Sequence, residues 1–222
     1  MVRLRAGRVR AERRRHEQRV LHQVVAWCLA YPDEQLLAQL PVLGAALGEL
    51  EADDHGLAEL IDLLAARPLA ESQRVYVELF DLDRKHALHL SYWTDGDTRR
   101  RGEALTRFKE AYRASGHLVQ TQGELPDHLC LVLEFAALVD PEAGCALLQQ
   151  YRASLELLRL ALLDAGTPYA AALAAVCSTL PGPSPADRAA AMALAGPPPT
   201  ESVGLEPFDP RLLPMADPEV TR

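Results

Sequence analysis

The stretch EQRVLHQVVAWCLAYP, Glu17 to Pro32, decides the class of fold. Leu21, Val24, Val25, Cys28 and Leu29 repeat at i, i+3, i+4, i+7 and i+8, the stripe by which an amphipathic helix faces a core. Pro32 is expected to stop it at Tyr31. Gln18, Arg19, His22 and Gln23 interrupt the apolar run, so it has neither the uninterrupted core of a signal peptide nor the roughly 20 apolar residues of a membrane span. The reading is therefore of a protein not inserted in a membrane, in the cytoplasm.

The same period recurs along the chain. Asp33 is placed to cap a second helix that buries Leu36, Leu37 and Leu40 and ends before Pro41. Leu57, Leu60, Ile61 and Leu64 mark a third helix, and Tyr76, Leu79 and Phe80 a fourth. TDGDTRRRGEALTRFKEAYRASG opens as a turn and continues as a helix with stripe Ala104, Leu105, Phe108, Ala111 and Tyr112, stopped at Gly116. A long leucine-rich helix is expected over 142–165. A further helix is expected to be capped by Thr167 with Pro168 at its first position, and Ser184, Pro185 and Asp187 repeat the same start for a short last one. Composition agrees: 49% of residues are hydrophobic but only 5% aromatic, so the core is built from Leu, Ala and Val, which favours helices.

Charge divides the chain unevenly. Met1–Arg19 carries eight Arg and two Glu, a net +6, so with a formal total of −8 the rest carries −14. An acidic body disfavours nucleic acid as the main ligand, and the basic start, without interleaved aromatics, is only a charge run. From Pro197 to Arg222 there are seven prolines in 26 residues, a tail too poor in apolar groups to fold alone. The expected organisation is all-α: a flexible basic arm over 1–16, one helical-bundle domain over 17–196 and a Pro-rich tail, largely disordered, over 197–222. Cys28, Cys130, Cys145 and Cys177 have no CxxC or zinc spacing and read as small buried hydrophobes in a reducing compartment.

Chemistry is sparse. In GELPDHLCLVLEF, Gly123 to Phe135, a helix starting at Pro126 sets Asp127 and Glu134 seven residues apart on one face, as an acidic wall for a partner or as architecture. Asp127 then meets the unpaired N–H groups of a helix start, and Glu134, ringed by Leu131, Leu133, Phe135 and Leu138, is half-buried and in need of a partner. His128 reads as a hydrogen-bonded structural group. HALHL holds His86 and His89 at i+3; with His128 and a carboxylate these would make a metal site and a helical metal-dependent hydrolase, on a weak signal. The run Arg99–Arg101 is either an anion contact or a solvated face neutralised by Asp95, Asp97 and Glu103. No GxSxG and no phosphate-cradling glycine loop occurs.

The strings YVELFDLDRKHALHLSYWTDGDTRRRGEALTRFKEAY and ELPDHLCLVLEF closely resemble the delta-subunit assembly chaperones of respiratory nitrate reductase, within the all-helical family of chaperones for molybdenum enzymes. The likeness spans about Val20 to Leu180. Its YxxxFD pattern matches Tyr76, Phe80 and Asp81, its GDTRxRG turn Gly96 to Gly102, its ELPDHL Glu124 to Leu129 and its LEF Leu133 to Phe135. The resemblance implies a non-catalytic chaperone without a cofactor of its own. It would hold the immature catalytic (alpha) subunit, including that subunit's N-terminal segment, ready for molybdenum cofactor insertion. The expected partner-peptide site comprises Tyr76, Phe80, Asp81, Asp127, His128 and Glu134, in an acidic groove that Leu133 also lines and that takes an amphipathic helix.

Overall fold

A computed structural model describes residues 2–50, 55–96, 99–117, 119–121 and 123–195, with side chains from residue 7 onward. The tail expected over 197–222 and the Asp97–Thr98 half of the GDTR turn lie outside the described residues.

The described chain is all helical. The first helix, α1 (Val2–Cys28), packs its Leu21, Val24, Val25 and Cys28 stripe, all buried, against α7 (Leu129–Glu134), α10 (Ala170–Thr179) and α2 (Glu34–Gly48). Its basic half, expected as an arm ahead of a domain boundary near Glu17, is instead continuous helix from Val2. Arginine is a good helix former, no proline interrupts the run, and Arg13 bonds Glu17 one turn on at 3.1 Å. From Gly7 to His16 every side chain is exposed, so this half leaves the bundle as a projecting basic helix.

Asp33 caps α2 as expected, its Oδ1 accepting from Leu36 N at 2.7 Å, but the helix runs through Pro41. Pro41 is exposed, and burial of Leu43 and Leu47 beyond it outweighs the roughly 3 kcal/mol that an interior proline costs. The expected long helix over 142–165 is two: α8 (Pro141–Gln150) and α9 (Arg152–Asp164). They break at Tyr151, held at φ −100° and ψ 25° and stacked on Phe108 at 4.8 Å. Asp140 and Asp187 cap α8 and α11 (Arg188–Ala193) through Ala143 N and Ala190 N. Thr167 does not cap α10, which starts at Ala170 from a turn closed by Ala170 N on the Thr167 carbonyl.

Two helices widen into π turns. After α4 (Leu69–Tyr76), Leu82 N donates to the Val77 carbonyl across Val77–Asp81; after α7, Asp140 N donates to the Phe135 carbonyl across Phe135–Val139. The second π turn seats α8, because Gly144 lies against the Ala136 backbone, where a Cβ would fall 2.4 Å from Ala136 Cα. The remaining helices are α3 (Leu57–Ala66), α5 (Leu90–Asp95), α6 (Arg99–Ala114) and a 3-10 turn over Arg84–His86. Of its expected stripe, α6 buries Ala104, Phe108 and Tyr112.

A buried polar clamp closes the C-terminal side. Glu156, fully buried on α9, accepts from Arg159 Nε at 2.6 Å and Ser184 Oγ at 2.7 Å. Arg152 and Arg159 donate to the carbonyls of Gly182, Pro183 and Pro185. The proline-rich 181–185 turn is thus pinned by charge-assisted bonds to its carbonyls, since prolines offer no N–H to a ladder.

Candidate functional site

A cleft of about 490 Å³ opens where the end of α1, the first π turn, the strand-like 87–89 segment, Gln120, Thr121 and Glu124, and α7 meet. Its walls include Tyr31, Tyr76, Phe80, Asp81, His89, Glu124, His128, Cys130, Leu131 and Glu134. The fold therefore gathers five of the six expected site residues, from positions up to 58 apart, on one surface.

Aromatic rings make one wall. Tyr31 meets Tyr76 edge-on at 5.5 Å, Tyr76 meets Phe80 at 4.8 Å, and Phe80 meets Tyr169 at 5.1 Å. The Tyr76 hydroxyl donates to the Leu29 carbonyl at 3.0 Å, which orients the column, and burial raises its pKa. Tyr76 and Phe80 are 6% and 7% exposed: they form the floor, while Tyr31, 49% exposed, offers the free ring edge at the mouth. Phe80 lies in the π turn four residues after Tyr76 and faces inward, while the adjacent Asp81 stays exposed.

The expected pairing of Asp127 with Glu134 does not form. Asp127 has no exposed surface and lies before α7, which starts at Leu129 rather than Pro126 because residues 88–90 and 127–129 pair as a short antiparallel bridge. In that bridge Leu90 N donates to the Asp127 carbonyl at 3.0 Å and Leu129 N to the Leu88 carbonyl at 2.8 Å. The Asp127 carboxylate accepts from Ser91 N at 3.1 Å and from Ser91 Oγ at 2.5 Å, so it caps α5 rather than its own helix. His89 Nδ1 approaches it at 3.4 Å. Burial pushes the Asp127 carboxyl up, but the nearby His89 ring and the bonds from Ser91 outweigh it, and the pKa lies below the ordinary value. Asp127 is thus corrected from a contact residue to one that positions the His89 and His128 wall.

Glu134 is exposed at the rim, contrary to the expectation of a half-buried acid, because Leu133 and Phe135 turn into the core beside it; partial burial still raises its pKa. Leu133, expected to line the groove, is instead fully buried in the core, and Leu131, not among the residues expected there, lines the cleft. His128 packs on His89 with ring centroids 5.2 Å apart; burial, then His89, brings its pKa down to about 4. His86 turns away, its Nδ1 lying 3.1 Å from the Leu79 carbonyl. Among the described residues no group of three His, Cys, Asp or Glu is arranged to hold a metal, and none joins His86, His89 and His128.

The cleft holds three carboxylates, Asp81, Glu124 and Glu134, and no Lys or Arg among its lining residues. The sequence reading missed Tyr31 and Glu124. Glu124 stood inside the quoted ELPDHL string, whereas nothing in the order of residues brings Tyr31 to this surface. The Arg99–Arg101 run is not at the cleft; the Arg101 guanidinium lies 5.8 Å from the centre of the Tyr92 ring.

The model of the family described as nitrate reductase delta subunit matches residues 49–175. The chain is 42% identical over 160 residues to the nitrate reductase-like protein NarX of Mycobacterium tuberculosis, covering 72% of this chain and 24% of that one, so it spans about a quarter of that relative's length. It is 31% identical over 137 residues to the probable nitrate reductase molybdenum cofactor assembly chaperone NarJ of Bacillus subtilis, covering 61% of this chain and 74% of NarJ. With NarJ of Escherichia coli the identity is 34% over 119 residues, about half of each chain. The crystal structure of an Archaeoglobus fulgidus protein assigned to redox enzyme maturation superposes with a TM-score of 0.58 at 24% identity, covering 72% of this chain and 91% of that one, and shares the fold.

Proposed function

As the chain belongs to the nitrate reductase delta subunit family, we propose that it is a cytoplasmic assembly chaperone, not an enzyme. In this reading it binds the immature catalytic subunit of respiratory nitrate reductase, through contacts that include that subunit's N-terminal segment. It keeps the subunit competent for molybdenum cofactor insertion and is absent from the finished enzyme. The working unit is the helical body, taken as 17–196. Among the described residues no helix is long and apolar enough to cross a membrane.

The observation that carries this reading is the composition of the cleft: three carboxylates and an aromatic wall with no lining cation. Such a surface attracts a segment with both apolar and basic residues, which an amphipathic N-terminal helix supplies. Its apolar side chains lie on Tyr31, Leu131 and the Tyr76–Phe80 floor. Its Lys or Arg side chains meet Asp81, Glu124 and Glu134, with His128 at the inner edge. Binding needs no acid, base or nucleophile, in keeping with cysteine thiols that burial holds protonated.

Calorimetric titration with a peptide copying the N-terminus of the catalytic subunit tests this. We expect one peptide per chain, with affinity that falls as salt rises. The peptide failing to bind the folded chain, or binding undiminished when Asp81, Glu124 and Glu134 are all amidated, defeats the reading.

A further inference from the structure

A second groove, also about 490 Å³, runs along the other part of α1 and differs in character. His16, Arg19, Val20, Gln23, Val24 and Trp27 form one wall, Gln39, Val42, Leu43 and Ala46 of α2 the opposite one, and Ala137 and Leu138 of the second π turn the end. Val42 is 61% and Leu138 63% exposed, so two large aliphatic side chains stand in water beside a half-buried Trp27. The cleft described above does not use this face. The α1 residues recur at helical spacing, so the groove runs parallel to α1, and Val9, seven residues before His16 and 63% exposed, continues the stripe onto the projecting basic half.

We infer that this groove is the interface with a second copy of the chain, the two α1 helices packing antiparallel about a two-fold axis. The helix has 27 residues, about 40 Å, with its basic half at one end, the groove in its second half and the acid-lined cleft just past its other end, at Ala30 and Tyr31. An antiparallel pair centred on the groove, at the ~20° crossing of antiparallel bundles, brings Arg10–Arg15 of one copy level with the turn that follows α1 in the other. There Asp33 and Glu34 are exposed and the carboxylate cleft opens. The charge complement is built into one chain: +6 on the first nineteen residues, −14 on the rest. A parallel pairing would set the two basic halves side by side. The antiparallel one covers Val42 and Leu138 and also matches opposite charges at both ends. The inference holds whatever the acidic cleft binds.

Sedimentation equilibrium of the full chain tests it. At low salt we expect a monomer–dimer equilibrium. Val42→Asp with Leu138→Asp raises the dimer dissociation constant by more than about tenfold, since both charges enter an apolar interface. Both positions are exposed, so circular dichroism and the thermal melt of the double variant stay as in wild type. Arg10→Glu with Arg14→Glu weakens the dimer at low salt and has little effect at high salt, a readout that is independent of the apolar substitutions. A chain that remains monomeric up to millimolar concentration overturns the proposal, as does a dimer indifferent to both double variants. If removing residues 197–222 turns a monomeric full chain into a dimer, the chain's own C-terminal segment occupies the groove and the proposal falls.

Discussion

The carboxylate of Asp127 caps the helix that begins at Leu90, accepting the backbone N–H of Ser91 at 3.1 Å from 36 residues away. A residue that sequence spacing placed on a binding face is a joint between two segments that form the cleft wall. Replacing it with Asn removes a charge-assisted cap and sets an amide N–H₂ against a neighbouring donor. We expect Asp127→Asn to cost about 2–3 kcal/mol in urea unfolding. Because the folded pKa lies below the ordinary value, this contribution is present above that value and is lost as pH falls below it. An unchanged urea midpoint would contradict the capping role.

Glu134 is the contrasting case. It is exposed and, among the described residues, makes no ion pair, so Glu134→Gln should leave the melt within about 0.5 kcal/mol of wild type. Affinity for the client peptide should fall by about 1–3 kcal/mol. A destabilised variant with normal affinity would assign the residue to the scaffold instead.

Two histidines set the acid limit of stability. His22, fully buried with Nε2 3.0 Å from Thr179 Oγ1, has its pKa brought down to about 4 by burial, and His128 likewise, by burial and then His89. Both folded values lie below the ordinary 6.5, so the unfolded chain takes up protons first. The contribution of the two neutral histidines is therefore complete above pH 6.5 and declines as pH falls towards about 4. For His22 the loss is on the order of 3 kcal/mol. Thermal melts across this window should show the decline in wild type and a shallower one in His22→Gln; parallel curves would rule His22 out as the source.

Glu156 supports two arginines and a serine. Truncating Glu156→Ala leaves Arg152 and Arg159 without their shared counter-ion, at an expected cost of about 3–5 kcal/mol. Proteolysis should then cut near Pro181–Pro185 before the chain unfolds globally. A stability loss below about 1 kcal/mol would show that the carbonyl contacts alone hold the turn.

Gly144 marks the closest approach of two helices. The methyl of Gly144→Ala would overlap the Ala136 backbone, so α8 must shift away from the second π turn, costing about 1–3 kcal/mol. Urea unfolding checks this, and a neutral result would mean that the π turn relaxes at no cost.

The order of residues by itself determined the all-α class, the stripes at Leu21–Leu29, Leu57–Leu64 and Ala104–Tyr112, the cap at Asp33, and the strings that mark the family. These depend on interactions within a few turns, and helical period, proline and short polar side chains report those directly. What spacing could not reach was set by contacts distant in sequence. Pro41 is absorbed because Leu43 and Leu47 find a core, the 142–165 helix breaks because Tyr151 stacks on Phe108, and Asp127 turns inward because Ser91 and His89 meet it there. The π turns over Val77–Asp81 and Phe135–Val139 belong to the same class: no feature of the sequence period marks them, and the second is where Gly144 seats α8 against Ala136. Which acids bind and which support is decided by burial, and burial is a property of the packed chain.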